Sequence, residues 1–366
     1  MADGSMEFSE QSLKQVQRTP QGRAYDNWIG GLRHRMRTDK EFAAKRHASA
    51  NEIRAVAPSA VHSDKFMANL SVQYVNDEYI GEQLMPVVPV ASRSDKFATY
   101  SKRNRTALPT DVVSGKSQVN EISEVRGSDN YSVTDYALQD WVEQTTIEAQ
   151  DSPFDELMDI TDAVNEGLAL LREIRIATVL TTTSNFGSNT VTLAGADQWS
   201  SSSGGDPIKN IQDALAACWQ GKGPGDFVGY CSLDVWNTLT RHQRVADLFK
   251  YTMPGLTKMD KLAQEVGLSK ILVGAARQDT ANIGQSSATY TRVWGNHFGI
   301  VRVARRPTLR NAAFGYTVRM QNDPTSMQWF DKSAGAKGAY FSKVAVSEQH
   351  KVCAADTGYL IYNATA

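Results

Sequence analysis

The run LAQEVGLSKILVGAARQDTANIGQ, residues 262–285, places a helix, a glycine and a strand next to one another. The helix pattern starts at residue 258 with KMD, and Gly267 is a suitable residue to end it. KILVGAA, which begins at Lys270, has the apolar and β-branched composition of a buried strand and ends in a Gly-Ala turn. The run therefore predicts a unit in which a short helix leads directly into a buried strand.

The same unit extends on both sides of this run. It begins after the flexible stretch QWSSSSGGDP, where Asp206 and Pro207 predict the start of a helix that ends at Gly221. FVGYCS then predicts a strand and SLDVWNTLTRHQRV a helix, and most of the last third of the chain has the composition of strands. Because helices and strands mix without a repeated βαβ rhythm, the sequence predicts an α+β fold rather than a doubly wound one.

A long amphipathic helix is predicted before that stretch. Ser152, Pro153 and Asp155 form a helix-start pattern, with a capping residue followed by proline at the first helical position. Apolar residues then recur at steps of three and four, and we expect the helix to end near Thr181. The predicted apolar face consists of Phe154, Leu157, Met158, Thr161, Val164, Leu168, Leu171 and Ile174.

A charged, two-faced ribbon is predicted between residues 92 and 126. This segment has seven basic and four acidic residues, a net charge of +3. Strand-like alternation occurs at Phe97 and Tyr100 and again over residues 119–125, which predicts two strands joined across a long tip. An isolated two-stranded hairpin is only marginally stable in water, so we expect another part of the structure to stabilise it.

The N-terminal segment over residues 28–48 is locally basic. It carries six Lys and Arg residues against two acidic ones, a net charge of +4. One interpretation is a solvated arm, and another is an arm that grips a neighbouring subunit through apolar anchors. Nucleic-acid binding is a third and weaker interpretation, because the stretch lacks a recognised fold. The candidate anchors are Trp28, Ile29, Leu32 and Met36.

Composition excludes several classes of protein. The 366 residues have a net charge of -1, 22% charged residues and a mean hydropathy of -0.40, which is typical of an ordinary globular protein. No apolar run approaches the roughly 20 residues of a membrane helix, and we expect no secretory signal. The three cysteines are an odd number without close spacing, so we interpret them as small core residues rather than a disulfide framework.

No catalytic or metal-binding pattern stands out in the sequence. The six histidines are scattered, with neither HExxH nor cysteine pairs at zinc spacing. SGKS, residues 114–117, lacks the leading glycine and the buried strand of a phosphate-binding loop. SEQH would place Ser347 and His350 on opposite sides of a strand, so we interpret it as a solvated strand. We therefore predict no enzymatic activity, no metal and no cofactor.

Carboxylates cluster at the start of the predicted long helix. Asp151, Asp155 and Asp159 follow one another at four-residue spacing. Because negative charge is favourable at a helix N-terminus, we interpret them as solvated, dipole-complementing side chains and not as a catalytic pair.

The order of these parts resembles that of tailed-bacteriophage major capsid proteins: an arm, a charged excursion, a long helix, an inserted α+β unit and closing strands. Residues 262–285 are the most family-like run, and VWGNHFGIVRVAR and AAFGYTVR follow them. VNDEYIGEQLMPVVPVASRSDKFATYS is similar to the family's approach to its extended loop, and KVCAADTGYLIYNA to its final strands. The resemblance covers residues 63–366 and depends on the order and spacing of these motifs.

The resemblance implies an α+β fold of the tailed-phage major capsid type (HK-ninety-seven-like), with an N-terminal arm, an extended loop, a long spine helix, and peripheral and axial domains. The implied boundaries are 1–62 for the N-terminal arm, 63–92 for the first part of the peripheral domain, 93–142 for the extended loop, 143–205 for the peripheral domain with the spine helix, 206–320 for the axial domain and 321–366 for the closing strands of the peripheral domain.

The resemblance also implies a function. The chain is expected to self-assemble into the icosahedral or prolate head shell that encloses phage double-stranded DNA. The expected partners are further copies of the chain in hexamers and pentamers, with scaffold, portal and cement proteins as candidates and only weak, non-specific contact with packaged DNA. No membrane partner is expected. The expected localisation is the virion, after assembly in the host cytoplasm.

In this family the extended loop lies across the neighbouring subunit, so the charged ribbon is expected to be an intersubunit surface. Individual exposed ion pairs contribute only about 0–1 kcal/mol, and many contacts must therefore act together. The expected interface residues are Lys96, Phe97, Tyr100, Lys102, Arg103, Arg105, Lys116 and Arg126 in the extended loop, and Trp28, Ile29, Leu32 and Met36 in the N-terminal arm.

Two alternatives stay open at this point. An encapsulin-like nanocompartment shell shares the fold but encloses an enzyme, and a groove for a cargo peptide would distinguish it. A cytoplasmic α+β enzyme with an unrecognised site is less favoured; a monomer or small oligomer with a deep polar cavity would favour it.

Overall fold

A computed structural model gives the structure of residues 79–100, 103–113, 115–116, 118–122, 125–149, 155–201, 204–218, 227–249, 259–281, 287–304, 306 and 312–366. The expected N-terminal arm with its four anchors, and Lys102 of the expected extended loop, lie outside these described residues. The chain divides into two compact units. The first includes Val142–Ala163 and Asp331–Tyr340, and the second comprises Asn76–Trp141, Val164–Phe330 and Phe341–Ala366.

Helices and strands alternate irregularly along the described residues. The helices are α1 Gly81–Leu84, α2 Arg103–Thr106, α3 Gln144–Ala149, α4 Glu156–Thr181, α5 Pro207–Ala217, α6 Leu233–Arg241, α7 Gln243–Phe249 and α8 Met259–Val266. The strands are β1 Val87–Val90, β2 Ser94–Tyr100, β3 Arg126–Ser132, β4 Thr134–Glu143, β5 Thr190–Thr192, β6 Phe227–Ser232, β7 Lys270–Gly274, β8 Arg277–Asp279, β9 Tyr290–Arg292, β10 Phe298–Arg302, β11 Gly315–Met320, β12 Thr325–Asp331, β13 Ala339–Val352 and β14 Gly358–Tyr362. The predicted α+β class is confirmed.

The first unit joins α3 and the first turns of α4 to the connection between β12 and β13. The backbone N–H of Gln144 donates to the carbonyl of Gly338 at 3.0 Å, and Lys337 forms an ion pair with Glu148. Gly335 and Gly338 both have positive φ angles, a conformation that glycine adopts without a steric penalty. These contacts hold the connection against α3.

The second unit contains a five-stranded sheet with the order β1-β11-β13-β12, in which β4 also pairs with β13. Val164 and Leu168 of α4 pack against Val344 and Val346 of β13. Because successive residues of a strand point to opposite faces, every second side chain of β13 faces α4 and the others point away from it. We refer to the side that points away from α4 as the outer face of this sheet.

The other five-stranded sheet of the second unit has the order β5-β14-β10-β6-β7. All six residues of its strand β6 are buried. The Tyr230 hydroxyl on β6 donates to the carbonyl of Leu180 at 2.6 Å, which fixes α4 to this sheet. A Cβ at Gly299 would lie 2.1 Å from the Tyr230 ring, so glycine is required for the ring to cross β10. The centre of this sheet is therefore a tightly packed core.

The two sheets combine strands from distant parts of the sequence. β5 and β14 extend the sheet formed by β6, β7 and β10, although they come from segments expected to be peripheral. β11, from the segment expected to be axial, pairs with β1 and β13 instead. Pairings of this kind depend on long-range contacts, which local sequence patterns do not encode. The six-part domain division itself stays a prediction.

The long helix ends at Thr181, as predicted, but its start differs. α4 begins at Glu156, and the Asp155 carboxylate accepts a hydrogen bond from the Met158 backbone N–H at 3.3 Å, as a capping residue does. The predicted cap and first residue, at positions 152 and 153, lie outside the described residues.

The buried face of α4 also differs from the prediction. Leu171 was expected on the apolar face but is 41% exposed, whereas Ile176, Ala177 and Leu180 are buried. These three residues belong to a different apolar cluster from Val164, so the helix changes partners along its length. A single apolar stripe drawn from the sequence misses this change.

Other local predictions are confirmed or corrected in detail. Asp206 caps α5, accepting from the Lys209 N–H at 3.1 Å, with Pro207 at the first helical position as predicted. The segment predicted as one helix after β6 is two helices, α6 and α7, separated at His242. Cys218 and Cys231 are buried as expected. The prediction of a core position is wrong for the third cysteine, Cys353, which is exposed.

Candidate intersubunit surface

The ribbon predicted from charge and alternation consists of β2 and β3, which pair antiparallel from Ser94 opposite Ser132 to Tyr100 opposite Arg126. The first predicted strand is confirmed. The second was predicted over residues 119–125 but begins only at Arg126. Its apolar residues recur at steps of three, and a step of three does not keep side chains on one face of a strand.

The base of the ribbon is fixed to the outer face of β13. Lys351 Nζ lies 3.0 Å from an Asp129 carboxylate oxygen, and the Ser132 N–H donates to the Gln349 side chain at 2.8 Å. The hydrogen bond from Lys351 lowers the pKa of Asp129. These contacts provide the support that the hairpin was expected to need from another part of the structure.

A second ionic contact lies beside the base. The Arg93 guanidinium pairs with the Asp135 carboxylate, and its hydrogen bond lowers the pKa of Asp135. The Val133 N–H donates to the carbonyl of Arg93 at 2.9 Å, where the chain passes from β3 to β4. Both side chains of the ion pair are largely exposed, so this contact orients the base and contributes little stability.

A buried carboxylate lies on the other face of β13. Glu348 is fully buried, with Arg175 at 2.8 Å, Arg319 at 2.9 Å and Arg172 at 3.5 Å from its oxygens. Burial opposes its ionisation, but the hydrogen bond from Arg175 and the charges of Arg172 and Arg319 outweigh burial and lower its pKa. Arg172 and Arg319 also contact Glu82, which follows α1's first residue. This arginine cluster ties α1, α4, β11 and β13 together beneath the ribbon.

The cluster corrects the interpretation of SEQH as a solvated strand. Ser347 and His350 do not meet, as expected from their parity: the Ser347 N–H donates to Asp323, and His350 Nδ1 lies 2.9 Å from the Thr317 hydroxyl. His350 is buried, however, and burial together with the nearby arginines lowers its pKa to about 4, against the opposing charge of Glu348. The positive charges of the arginines compensate for the burial of the Glu348 carboxylate and favour the neutral form of the His350 imidazole.

A second buried carboxylate fixes the chain just before the ribbon. Glu173 of α4 accepts hydrogen bonds from the backbone N–H groups of Ile80 at 3.0 Å and Gly81 at 2.9 Å. It also accepts one from the Trp294 indole at 2.9 Å. Burial raises its pKa, and the three hydrogen bonds counteract this only in part. α1 is therefore held against α4 by its first backbone groups.

The tip of the ribbon, residues 103–125, exposes a group of aliphatic side chains among polar ones. Asn104 closes its base by two hydrogen bonds with the backbone of Val125, at 2.8 and 3.2 Å, and Asn120 donates to the carbonyl of Thr110 at 2.9 Å. Six aliphatic side chains of the tip are between 47% and 74% exposed: Leu108, Val112, Val113, Val119, Ile122 and Val125. We call this segment the ribbon tip.

Sequence reasoning emphasised the charges of the ribbon and missed this apolar surface. The signal was present, because the tip contains a dense group of aliphatic residues without the periodicity of a helix or strand. Among the expected interface residues, Lys96 is exposed on β2, Phe97 is half-buried and Lys116 is exposed in the tip next to Gly115. Arg103 and Arg105 lie on α2, and Tyr100 and Arg126 face each other across the ribbon. Their role at an interface stays a prediction.

A row of aromatic rings crosses the first sheet. Trp329 of β12 stacks on Phe341 of β13, with centroids 5.3 Å apart and ring planes at 6°. Trp141 of β4 lies 6.4 Å from the same ring. Phe341 and Trp141 belong to the outward-pointing residues of their strands, opposite the side that packs on α4. We call Trp141, Trp329, Phe341 and the neighbouring Met327 the aromatic row; sequence reasoning did not identify it.

The start of α4 departs from the solvated arrangement expected for its carboxylates. Asp159 is half-buried, and burial, followed by the charges of Glu156, Asp155 and Asp162, raises its pKa to about 7. The expected solvated position is therefore wrong for Asp159, because its carboxylate is half-buried and lies near other carboxylates of the same helix. Asp151 lies outside the described residues.

Within the described ranges, no three His, Cys, Asp or Glu side chains are placed to hold a metal ion. Of the helices that the structure describes, none combines the length and apolarity required to cross a membrane.

Known phage proteins are similar to the chain in sequence, although no protein-family model matches it. The major capsid protein of Pseudomonas phage JBD67 is 27% identical over 307 residues, which cover 83% of this chain and 97% of that protein. The major capsid protein of Burkholderia phage BcepMu is 24% identical over 269 residues, which cover 71% of this chain and 84% of that protein.

Solved structures share the fold. A phage-related protein from Bordetella bronchiseptica has a TM-score of 0.62 at 23% identity, covering 80% of this chain and 94% of its own. The capsid of cyanophage P-SCSP1u has a TM-score of 0.55 at 12% identity, covering 80% of this chain and 90% of its own. The fold expected from the order of the sequence motifs is confirmed.

Proposed function

We propose that the chain is a tailed-phage major capsid protein, the repeating subunit of a phage head shell that encloses double-stranded DNA. Sequence similarity to two phage major capsid proteins over most of the chain supports this function. The structural observation that carries it is the ribbon, which is fixed at its base and exposes apolar surface at its tip.

The exposed side chains of the ribbon tip contribute little to their own subunit and are available to contact a neighbouring one. Its tip leaves six aliphatic side chains in solvent, a cost that is recovered only when another surface covers them. A tip that contacts a different surface of the next copy makes a head-to-tail contact, and such contacts form rings when the rotation between copies closes. We therefore propose hexamers and pentamers of this chain, in a shell of the virion, assembled in the host cytoplasm.

The finer assignments follow the same reasoning. We propose that the ribbon is the extended loop, that α4 is the spine helix, and that residues 206–320, which contain β6, β7 and β10, form the axial domain. The basic residues Lys96, Lys102, Arg103, Arg105, Lys116 and Arg126 would add many weak ionic contacts to the neighbour. We propose a structural role without enzymatic activity, and scaffold, portal and cement proteins as further partners.

Charge reversal tests the role of the ribbon. Lys102→Glu, Arg103→Glu and Arg105→Glu in one chain should reduce the yield of shells seen by electron microscopy while leaving the circular dichroism spectrum unchanged. The matched control reverses Lys209, Arg241 and Lys261, which lie on three helices, and should retain shells. Normal particles from the ribbon variant, stable at raised salt and temperature, would contradict an intersubunit role for these charges.

A further inference from the structure

Among the described residues, three buried nitrogens without a hydrogen-bond partner belong to side chains that surround the Glu348 carboxylate. They are Nε of Arg172, Nε of Arg175 and Nε2 of His350. Buried polar atoms are paired in the great majority of cases, so unpaired ones require an explanation. Arginine stays protonated at ordinary pH, whereas an imidazole gains and loses a proton near neutrality. His350 is therefore the member of this group that can respond to a change in pH.

The hydrogen bonds of Thr317 fix the position of the proton on the neutral His350 ring. The Thr317 hydroxyl donates to the carbonyl of Met85 at 3.1 Å, so its oxygen accepts from His350 Nδ1 at 2.9 Å. We therefore assign the proton to Nδ1, which leaves a lone pair on Nε2. This nitrogen lies 3.8 Å from a carboxylate oxygen of Glu348. Both atoms can only accept, so a hydrogen bond between them requires an additional proton.

We propose that His350 is a proton-operated switch that loosens the base of the ribbon in acid. When Nε2 takes up a proton it donates to Glu348 and displaces an arginine from that carboxylate. Arg172 is the arginine expected to leave, because its contact with Glu348 is the longest of the three, at 3.5 Å, and Glu82 offers it a second carboxylate. The switch acts within one subunit, so it goes beyond the proposed function and does not depend on it.

The charges around His350 determine the pH range of the switch. Three elements supply arginines or carboxylates besides β13 itself, and the charged groups are Arg172 and Arg175 on α4, Arg319 on β11, Glu82 on α1 and Glu348 on β13. Burial lowers the pKa of His350 to about 4, and the arginines lower it further than Glu348 alone would allow. The unfolded chain therefore takes up this proton first, so the contribution of neutral His350 to stability is complete above pH 6.5 and is lost as pH falls towards 4.

The position of His350 on β13 connects it to the ribbon. It lies between Gln349, which accepts from the Ser132 N–H, and Lys351, which pairs with Asp129. Successive residues of a strand point to opposite faces, so a shift of His350 on the inner face moves both outer anchors. The pKa of Asp129 is lowered by its hydrogen bond from Lys351, so this ion pair stays charged while His350 takes up its proton. Loosening of the ribbon above pH 4 would therefore start at the buried face of β13.

Hydrogen–deuterium exchange of the full, unassembled chain tests the switch. We expect the amides of β3 to exchange about tenfold faster at pH 4 than at pH 7, after correction for the intrinsic pH dependence of exchange, while β6 stays protected. His350→Asn keeps an N–H donor for Thr317 but takes up no proton, so this increase should be absent. His297→Asn is the matched control, because His297 is a second largely buried imidazole whose pKa is lowered by burial, and this variant should keep the increase. An equal increase in His350→Asn and the unmodified chain would overturn the switch.

The unmodified chain supplies a second test if His350→Asn fails to fold. Exchange of β3 is followed in small pH steps from 7 to 3, and we expect the increase to begin between pH 6.5 and 4. Asp129 and Asp135, whose pKa values are lowered by their ion pairs, take up protons only below this range. An increase that begins only below pH 4, or no increase at all, would overturn the switch. Neither result bears on whether the chain forms shells.

Discussion

Apolar side chains are buried in the sheet around β6 but exposed in the ribbon tip. All six residues of β6 are buried, and Tyr230 crosses β10 in a space that only glycine leaves open. In the tip, six aliphatic side chains are 47% to 74% exposed, and the loop is closed mainly by Asn104 and Asn120. The comparison separates the part of the chain that stabilises the subunit from the part that we propose a neighbour covers. Substitutions in the two regions should therefore affect folding and assembly separately.

The largest effect on folding is expected at the arginine cluster. Glu348→Gln removes the charge that three arginines share in a buried site, and it should lower the free energy of unfolding by about 3 kcal/mol. Glu82→Gln is the matched control: its carboxylate contacts two of the same arginines but is 52% exposed, so a loss of about 0–1 kcal/mol is expected. Urea unfolding of the unassembled chain measures both. Equal losses for the two variants would contradict the importance of burial.

A smaller effect is expected at Glu173. Glu173→Gln preserves shape but places an amide N–H₂ group against backbone and indole donors, so at least one buried donor loses its acceptor. We expect a loss of about 1–2 kcal/mol in the same urea measurement. The exposed neighbour Glu82 again serves for comparison. No loss at Glu173 would show that α1 is held by its apolar residues alone.

A pH-dependent gain is expected at Asp159. Its pKa is raised to about 7 in the folded chain, so its contribution to stability is highest below the ordinary pKa of 3.8 and is lost as pH rises towards 7. Asp159→Asn should therefore raise the Tm by about 2 °C at pH 8 and by much less at pH 4. A thermal shift series across this range measures it. A gain that is equal at both pH values would contradict a raised pKa.

The smallest effect on folding, and the largest on assembly, is expected at the ribbon tip. Val119→Asp with Ile122→Asp introduces charge where the side chains are already 69% and 63% exposed, so the free energy of unfolding should change by less than about 0.5 kcal/mol. The same variant should form no shells, because it disrupts the apolar surface that we propose a neighbour covers. Shells of normal yield would place the essential contacts elsewhere in the chain.

Local patterns in the sequence predicted much of the framework. The cap at Asp206, the strand β6 and the end of α4 at Thr181 each depend on neighbouring residues, and they are confirmed. The pairing of β14 with β5 and β10 depends on residues more than 50 positions apart, which no local pattern contains.

The candidate intersubunit surface also depends on contacts between residues that are far apart in the sequence. The ribbon was recognised from charge and alternation, but the aromatic row requires three strands to lie side by side before Trp141, Trp329 and Phe341 become one surface. The burial of Glu348 could not be predicted either, because its arginines come from α4 and β11. The aliphatic residues of the ribbon tip are visible in the sequence, but the prediction of the interface was based mainly on the Lys and Arg residues of the ribbon.

The proposed function requires this chain to build a closed shell. Electron microscopy of the purified full chain, with light scattering to measure mass, can show whether it does. We expect closed particles or rings of five and six subunits, with double-stranded DNA in particles taken from infected cells. A chain that stays strictly monomeric under assembly conditions, with and without a scaffold protein, would contradict the proposed function.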